Sequence, residues 1–138
     1  MTEFKLTILE ADSCFYEGPC VSLVVSTTEG LYGVMAHHEN MISALVIGEI
    51  RFTDPEGSVH VASISGGLMK VEDNEVLILV ESIEDPEDID ENRVSEEQQA
   101  VEEYLQEKRS IEEYEIAQAR MARAINRLKI KKKYGSKL

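Results

Sequence analysis

Few side chains in this sequence have the types and spacing that catalysis or metal binding needs. Ser65 stands in Ser-Gly-Gly without the earlier glycine of a Gly-x-Ser-x-Gly nucleophile turn, so a strand that ends in a bulge is the better interpretation. His37 and His38 are adjacent, and neighbouring side chains of an extended segment point to opposite faces, which disfavours a shared metal. Residues 88–92 imitate the start of a calcium loop, but Arg93 occupies the glycine position. We expect no catalytic or metal site.

The two cysteines also lack a redox or zinc pattern. Cys14 and Cys20 do not form a Cys-x-x-Cys pair and no further cysteine accompanies them. No phosphate-binding Gly-x-x-x-x-Gly-Lys-Ser/Thr or Gly-x-Gly-x-x-Gly sequence occurs. The sequence therefore predicts two reduced thiols and no phosphate-binding loop of these types.

The glycines and prolines divide the chain into two parts. Residues 87–134 contain neither type, whereas every other glycine and proline except Gly135 lies at or before Pro86. Glycine and proline favour turns and interrupt helices, so the first part reads as short strands and the second can remain helical. We predict a β domain at residues 1–85 and a helical domain at residues 86–138.

Strand-like alternation recurs through the first part. Apolar and polar residues alternate at residues 4–8, 21–25, 50–52 and 59–61, with turn-forming residues at 17–19, 28–30, 54–57 and 72–74. Residues 76–80 are apolar at every position, which favours a central strand covered on both faces. The pattern predicts antiparallel strands arranged in a sandwich or a barrel.

Two amphipathic helices are predicted in the second part. The first has a sparse apolar stripe and the second a fuller one: Val94, Val101, Tyr104 and Leu105, then Tyr114, Ala117, Met121, Ala124, Ile125 and Leu128. Ser110 and Glu113 have the spacing of a capping box, which places a turn near Lys108-Arg109. An antiparallel hairpin about that turn sets Arg123 opposite about Glu96, and Arg127 opposite about residues 92–93.

Charge and hydropathy limit the kinds of partner that the chain can bind. The net charge of −13 disfavours general nucleic-acid binding, because an acidic surface repels phosphates. Residues 84–115 are mostly acidic where charged, and residues 116–138 are entirely basic where charged, so the two segments are suited to pair. Neither a membrane-spanning apolar run nor a secretory signal pattern occurs, which predicts a soluble intracellular protein without direct membrane insertion.

Four segments together resemble the epsilon subunit of the bacterial F-type ATP synthase. They are residues 29–34 with His38, residues 64–71, residues 88–93 and residues 123–128. Their order and spacing are specific, and the match spans essentially the whole chain. The resemblance implies a flattened antiparallel β-sandwich followed by an antiparallel two-helix hairpin. It also implies a non-catalytic rotor subunit on the cytoplasmic face of the plasma membrane. In that family the sandwich binds the gamma subunit and the c-ring, and the helices extend into the catalytic alpha/beta head to inhibit ATP hydrolysis.

The resemblance also implies particular site residues. It places His38 and Met41 toward the gamma subunit and Glu29 toward the c-ring. Some members bind a regulatory ATP between sandwich and hairpin, although no cofactor is obligatory. The positions that match this ATP site are Glu84, Ile89, Asp90, Arg93, Arg123 and Arg127. The structural alternative is that Asp90 caps a helix while the arginines pair with Glu91 and Glu96.

Two departures from the family pattern affect these expectations. Family members commonly carry Pro-Gly-His-Ala-Pro, where this chain has Ala-His-His-Glu-Asn at residues 36–40, which predicts a less rigid loop and a changed partner surface. Val94 replaces the alanine that ends the ATP motif and is expected to crowd the adenine pocket.

Two other functions stay open at this point. The chain could be a free-standing interaction module that binds a helical partner, or the basic tail at residues 129–137 could contact anionic lipid or nucleic acid.

Overall fold

The computed structural model describes residues 2–106 and 110–135. The chain divides between Glu84 and Asp85 into two compact units, an all-β unit followed by a helical one. The predicted fold class, a β-sandwich followed by two helices, is confirmed. The predicted turn at Lys108-Arg109 lies outside the described residues.

The described part of the first unit contains nine strands. Their bounds are β1 Phe4–Glu10, β2 Ser13–Cys20, β3 Ser22–Thr27, β4 Gly30–Met35, β5 Met41–Thr53, β6 Val59–Ile64, β7 Gly67–Glu72, β8 Glu75–Val80 and β9 Ile83–Glu84. They are hydrogen-bonded in the order β2-β1-β8-β7-β5-β3-β4, and β6 pairs with both β5 and β9. All pairs are antiparallel except β1 with β8.

The long strand β5 belongs to both layers of the sandwich. Its first part, Met41 to Leu45, pairs with β7, while Gly48 to Thr53 pairs with β6. The sheet therefore folds over along β5. Tyr16 of β2 and Phe52 of β5, which are not on neighbouring strands, have ring centroids 4.6 Å apart across the two layers.

The core lies between the layers and draws on nearly every strand. Its largest fully buried side chains include Leu6, Ile8, Leu23, Ile50, Phe52, Ile64, Met69 and Ile78. The prediction that β8 is central is confirmed, since it lies between β1 and β7. The prediction that both of its faces are covered is wrong, because Leu79 is 45% exposed.

A predicted turn at residues 17–19 is also wrong, because these residues continue strand β2. Pro19 pairs with Lys5 of β1. Strand β2 stands at one end of the strand order, and an edge strand tolerates proline because one side of its backbone needs no ladder hydrogen bonds.

The second unit is a helical hairpin. A short 3-10 turn at Pro86–Asp88 leads to α1, Glu91–Leu105, and α2 follows at Ile111–Tyr134. Ser110 caps α2 as predicted, since its Oγ atom accepts a hydrogen bond of 3.2 Å from the Glu113 amide. Val101 and Ala117 are buried, but Tyr114 and Ile125 are 43% and 48% exposed, so the second apolar stripe is narrower than predicted.

Candidate functional site

The His38 side chain is held in one orientation in the loop between β4 and β5. Its Nε2 atom lies 2.7 Å from the Tyr32 hydroxyl, and its Nδ1 atom lies 2.8 Å from the Glu39 carbonyl oxygen. A carbonyl oxygen only accepts, so Nδ1 carries the proton and Nε2 of the neutral ring accepts from Tyr32. The half-buried imidazole is thus a fixed part of the surface.

Hydrogen bonds from backbone amides to asparagine side chains tie the same loop to the β7–β8 turn. The His37 amide donates to Asn74 Oδ1 at 2.7 Å, and the Asp73 amide donates to Asn40 Oδ1 at 3.0 Å. His37 has a positive φ of 64°, a conformation that glycine adopts more readily. Side-chain hydrogen bonds therefore restrain a loop that was predicted to be less rigid for lack of proline and glycine.

Glu29 lies in a different place from His38 and Met41. It is exposed at the tip of the β3–β4 hairpin, where its amide donates to Thr27 Oγ1 at 3.2 Å. Strand β4 separates this tip from the His38 loop, so the predicted partner residues form two sites at opposite ends of one strand. Met41 is half-buried and packs against the sandwich core.

An apolar strip that the sequence reasoning missed begins beside the His38 loop. It comprises Ile42, Ala44, Leu68 and Leu79 on β5, β7 and β8, and Leu68 pairs directly with both Ala44 and Leu79. Ile42, Leu68 and Leu79 are 71%, 50% and 45% exposed. Apolar side chains grouped in this way on a surface are typical of a protein interface. The continuous apolar run at residues 76–80 is the sequence signal for this strip. Taken alone, that run predicts a strand whose two faces are both buried within the same chain.

The residues of the predicted ATP site occupy both units. Glu84 belongs to β9 and pairs with Ser63 of β6. In the hairpin, Asp90 Oδ1 accepts a hydrogen bond of 3.2 Å from the Arg93 amide and so caps α1, which confirms that part of the structural alternative. The Arg93 side chain is exposed.

Apolar packing aligns the start of α1 with the second half of α2. Ile89, Val94, Ala124 and Ile130 form one buried cluster, which places residues 123–130 beside the first turns of α1. Val94 is only 1% exposed, so its side chain is used in packing the hairpin.

The arginines of α2 face a carboxylate on α1, but a different one from those predicted. Arg127 Nη1 lies 3.8 Å from Glu97 Oε2, and Arg120 Nη2 lies 3.6 Å from Glu97 Oε1. Arg123 stands between them in sequence and is half-buried. The acidic and basic helices therefore pair as expected, but the carboxylate that pairs with Arg120 and Arg127 is Glu97, whereas Glu91 and Glu96 were the predicted partners.

The groups with shifted pKa values lie outside these sites. A hydrogen bond of 2.9 Å from His60 lowers the pKa of Asp54, and burial raises the pKa of the Cys20 thiol, which keeps it protonated. Ser65 is part of a corner between β6 and β7, and its hydroxyl bonds to the Ser82 carbonyl at 3.5 Å.

The described residues contain neither a group of metal ligands nor a membrane-spanning helix. Within residues 2–106 and 110–135, no three His, Cys, Asp or Glu side chains are grouped to hold a metal ion. No helix in this part of the chain has the length and apolar character needed to cross a membrane.

Both units match described domain families. A sandwich followed by a helical hairpin defines a class of ATP synthase chains: residues 3–86 match "ATP synthase, Delta/Epsilon chain, beta-sandwich domain", and residues 87–132 match the "long alpha-helix domain" of the same chain. The sequence is 36% identical over 130 residues to the ATP synthase epsilon chain of Caldicellulosiruptor saccharolyticus, with 94% of each chain covered. It is 33% identical over 141 residues to that of Shouchella clausii, with 99% of this chain and 100% of the relative covered. The chain belongs to the family of ATP synthase epsilon chains, and the resemblance found in the sequence is confirmed.

Solved structures support the fold. A chain of the Euglena gracilis mitochondrial ATP synthase OSCP/F1/c-ring structure matches with a TM-score of 0.79 at 20% identity, covering 91% of this chain and 79% of that one. A chain of the Tetrahymena thermophila mitochondrial ATP synthase central stalk/c-ring structure matches with a TM-score of 0.72 at 13% identity, covering 94% and 97%.

Proposed function

We propose that this chain is a non-catalytic rotor subunit that joins the gamma subunit to the c-ring and restrains ATP hydrolysis through its C-terminal helices. The observation that carries the proposal is the apolar strip beside the His38 loop. A strip of exposed Ile42, Leu68 and Leu79 suits burial against another protein, and the loop that holds His38 directly precedes β5, the strand that carries Ile42. The partner at this surface is the gamma subunit.

The c-ring contact belongs at the opposite end of β4. Glu29 is exposed at the hairpin tip there, with its backbone fixed by Thr27 and by Gly30, whose φ is 111°. Two partner sites separated by one strand suit a subunit that bridges two rotor components. In this role the chain lies at the cytoplasmic face of the bacterial plasma membrane, peripheral to the bilayer.

The hairpin suits a regulatory arm. In α1 the buried residues are Val94 and Val101. Burial of apolar surface stabilises by roughly 25 cal/mol per Å², so this small apolar area contributes little to holding the helix in place. A compact and an extended arrangement of the hairpin would then differ by only a few kcal/mol. In the extended arrangement the basic residues of α2 reach acidic surfaces of the catalytic alpha/beta head.

Copurification with purified gamma subunit tests the partner surface. Ile42→Glu places a charge in the apolar strip and should reduce gamma binding at least ten-fold. Val59→Glu is the matched control, because Val59 is a similarly exposed apolar residue, at 58%, on β6 outside the strip. Equal binding by both variants and the unchanged chain would contradict the proposal and favour the free-standing module.

Hydrolysis by the reassembled synthase tests the regulatory role. Deletion of residues 87–138 should raise ATP hydrolysis while gamma binding is kept. Unchanged hydrolysis would remove the inhibitory role and leave the rotor role standing.

A further inference from the structure

The Asn74 side chain connects three separate parts of the sandwich. Its Oδ1 atom accepts from the His37 amide at 2.7 Å, and its Nδ2 atom donates to the Glu3 carbonyl at 2.9 Å. Asn74 itself stands in the β7–β8 turn, 37 positions from His37 and 71 from Glu3. One amide group thus links the β4–β5 loop, the start of β1 and this turn.

Both contacts have a fixed direction. The His37 amide can only donate and the Glu3 carbonyl can only accept, so the Asn74 amide has one orientation that satisfies them. The backbone of Asn74 has a φ of 63°, a conformation that asparagine adopts more readily than most residues. The position therefore needs both a left-handed backbone and an amide side chain.

The bond to His37 acts where the loop most needs restraint. His37 also has a positive φ, of 64°, and it directly precedes the partner residue His38. Release of the His37 amide would let this residue return to a more favourable φ, which would turn the His38 imidazole away from Tyr32. The 2.7 Å bond from His38 Nε2 to the Tyr32 hydroxyl depends on the present loop shape.

We infer that Asn74 is a positioning residue for the gamma-binding surface. It does not contact the partner itself but holds the His37 backbone, and through it the His38 imidazole, in the shape that gamma binds. This inference rests on the proposed function, because it assigns the His38 loop to the gamma interface.

Two substitutions at Asn74 separate this role from a general structural one. Asn74→Gly removes both side-chain hydrogen bonds but keeps the turn, since Asp-Gly is a favoured pair in a two-residue hairpin turn with positive φ. Asn74→Asp keeps an acceptor for the His37 amide but loses the donor to Glu3, and its second carboxylate oxygen faces the Glu3 carbonyl oxygen. The measurements are the affinity of the full chain for purified gamma subunit, amide exchange at His37 and thermal unfolding.

We expect Asn74→Gly to bind gamma about five-fold more weakly, the usual effect of one lost hydrogen bond. The His37 amide should exchange faster in this variant, while Asn74→Asp, which keeps the acceptor, should bind gamma more tightly and protect the His37 amide better than Asn74→Gly does. The inference is overturned if Asn74→Gly binds normally, or if Asn74→Asp protects the His37 amide and still binds as weakly as Asn74→Gly.

His38→Ala distinguishes a failure of the positioning role of Asn74 from a failure of the proposed gamma interface at the His38 loop. Weak binding by His38→Ala with normal binding by Asn74→Gly would overturn the positioning role and keep the interface. Normal binding by both variants would remove the His38 loop from the interface and overturn the positioning role with it.

Discussion

Gly48 of β5 faces Ser26 of β3 so closely that a Cβ atom at Gly48 would lie 2.3 Å from the Ser26 Oγ atom. The Ser26 hydroxyl already forms two hydrogen bonds: it accepts from the Glu49 amide at 3.1 Å and donates to the Glu49 carbonyl at 3.2 Å. Gly48 is the first residue of the part of β5 that pairs with β6, next to the point where the strand passes from one layer to the other. A glycine is therefore required where the sheet folds over.

Replacement of Gly48 by alanine should destabilise the sandwich by about 1–3 kcal/mol, because the new methyl group displaces Ser26 and its hydrogen bonds. Urea unfolding measures the loss. Gly33→Ala is the matched control in a strand, since a Cβ there would meet only the Leu23 carbonyl oxygen at an ordinary 3.9 Å. Equal stability of the two variants would show that Ser26 moves aside without cost.

The Asp54–His60 pair predicts an acid-dependent loss of stability. The hydrogen bond from His60 lowers the pKa of Asp54 in the folded protein, while the unfolded chain titrates near the ordinary value of about 3.9. The stabilisation is therefore present above about pH 4 and is lost as the pH falls through the lower, folded pKa. Asp54→Asn should narrow the difference in unfolding free energy between pH 7 and pH 3.

Asp12→Asn, at an exposed carboxylate in the β1–β2 turn, is the control for Asp54→Asn. It should leave the acid dependence as it is in the unchanged chain. The linkage argument fails if both variants change the acid dependence equally.

The sandwich should fold without the hairpin if β9 is kept. A chain that ends at Asp85 retains Ile83, whose amide donates to Glu10 Oε2 at 2.7 Å and whose side chain is buried. A chain that ends at Glu81 loses both contacts, and we expect it to be less stable by roughly 2–5 kcal/mol, as for other lost core isoleucines. Circular dichroism during thermal unfolding compares the two. An unfolded chain 1–85 would contradict the two-domain interpretation.

ATP binding remains a prediction that the hairpin arginines can test. If Arg123 and Arg127 hold phosphates, the double substitution to alanine should abolish thermal stabilisation by ATP, which is about 2.7 kcal/mol for ligand at 100 times its Kd. Arg120→Ala is the matched control because Arg120, like Arg127, pairs with Glu97 but is not among the predicted ATP ligands. Absence of stabilisation of the unchanged chain at millimolar-order ATP would remove the nucleotide site and leave the family membership standing.

Local patterns predicted much of this fold. The distribution of glycine and proline predicted where strands end and helices begin, and the Ser110 cap followed from the spacing to Glu113, because turns and caps depend on nearby residues. Long-range relationships could not be predicted in this way. Pro19 lies in a strand because β2 is at the edge, and the bond from His37 to Asn74 joins residues 37 positions apart.

The candidate sites show the same difference between local sequence patterns, which could be predicted, and long-range contacts, which could not. His38 and Glu29 came from the family resemblance, although the residues around His38 differ from the family pattern, whereas the apolar strip came from the structure. Leu68 and Leu79 become neighbours only when β7 and β8 pair, and their exposure depends on which face of the sheet is covered.

The parallel pairing of β1 with β8 has a consequence for synthesis of the chain on the ribosome. Lys5 pairs with Glu75 and Glu10 with Val80. About 70 further residues must therefore be synthesised after β1 before one of its two neighbouring strands exists. Until β8 leaves the exit tunnel, the β1–β2 hairpin carries an open edge and uncovered core residues, a state in which nascent chains aggregate. Ribosome-bound chains that stop before residue 75 should therefore bind chaperones, and release should follow once β8 has emerged.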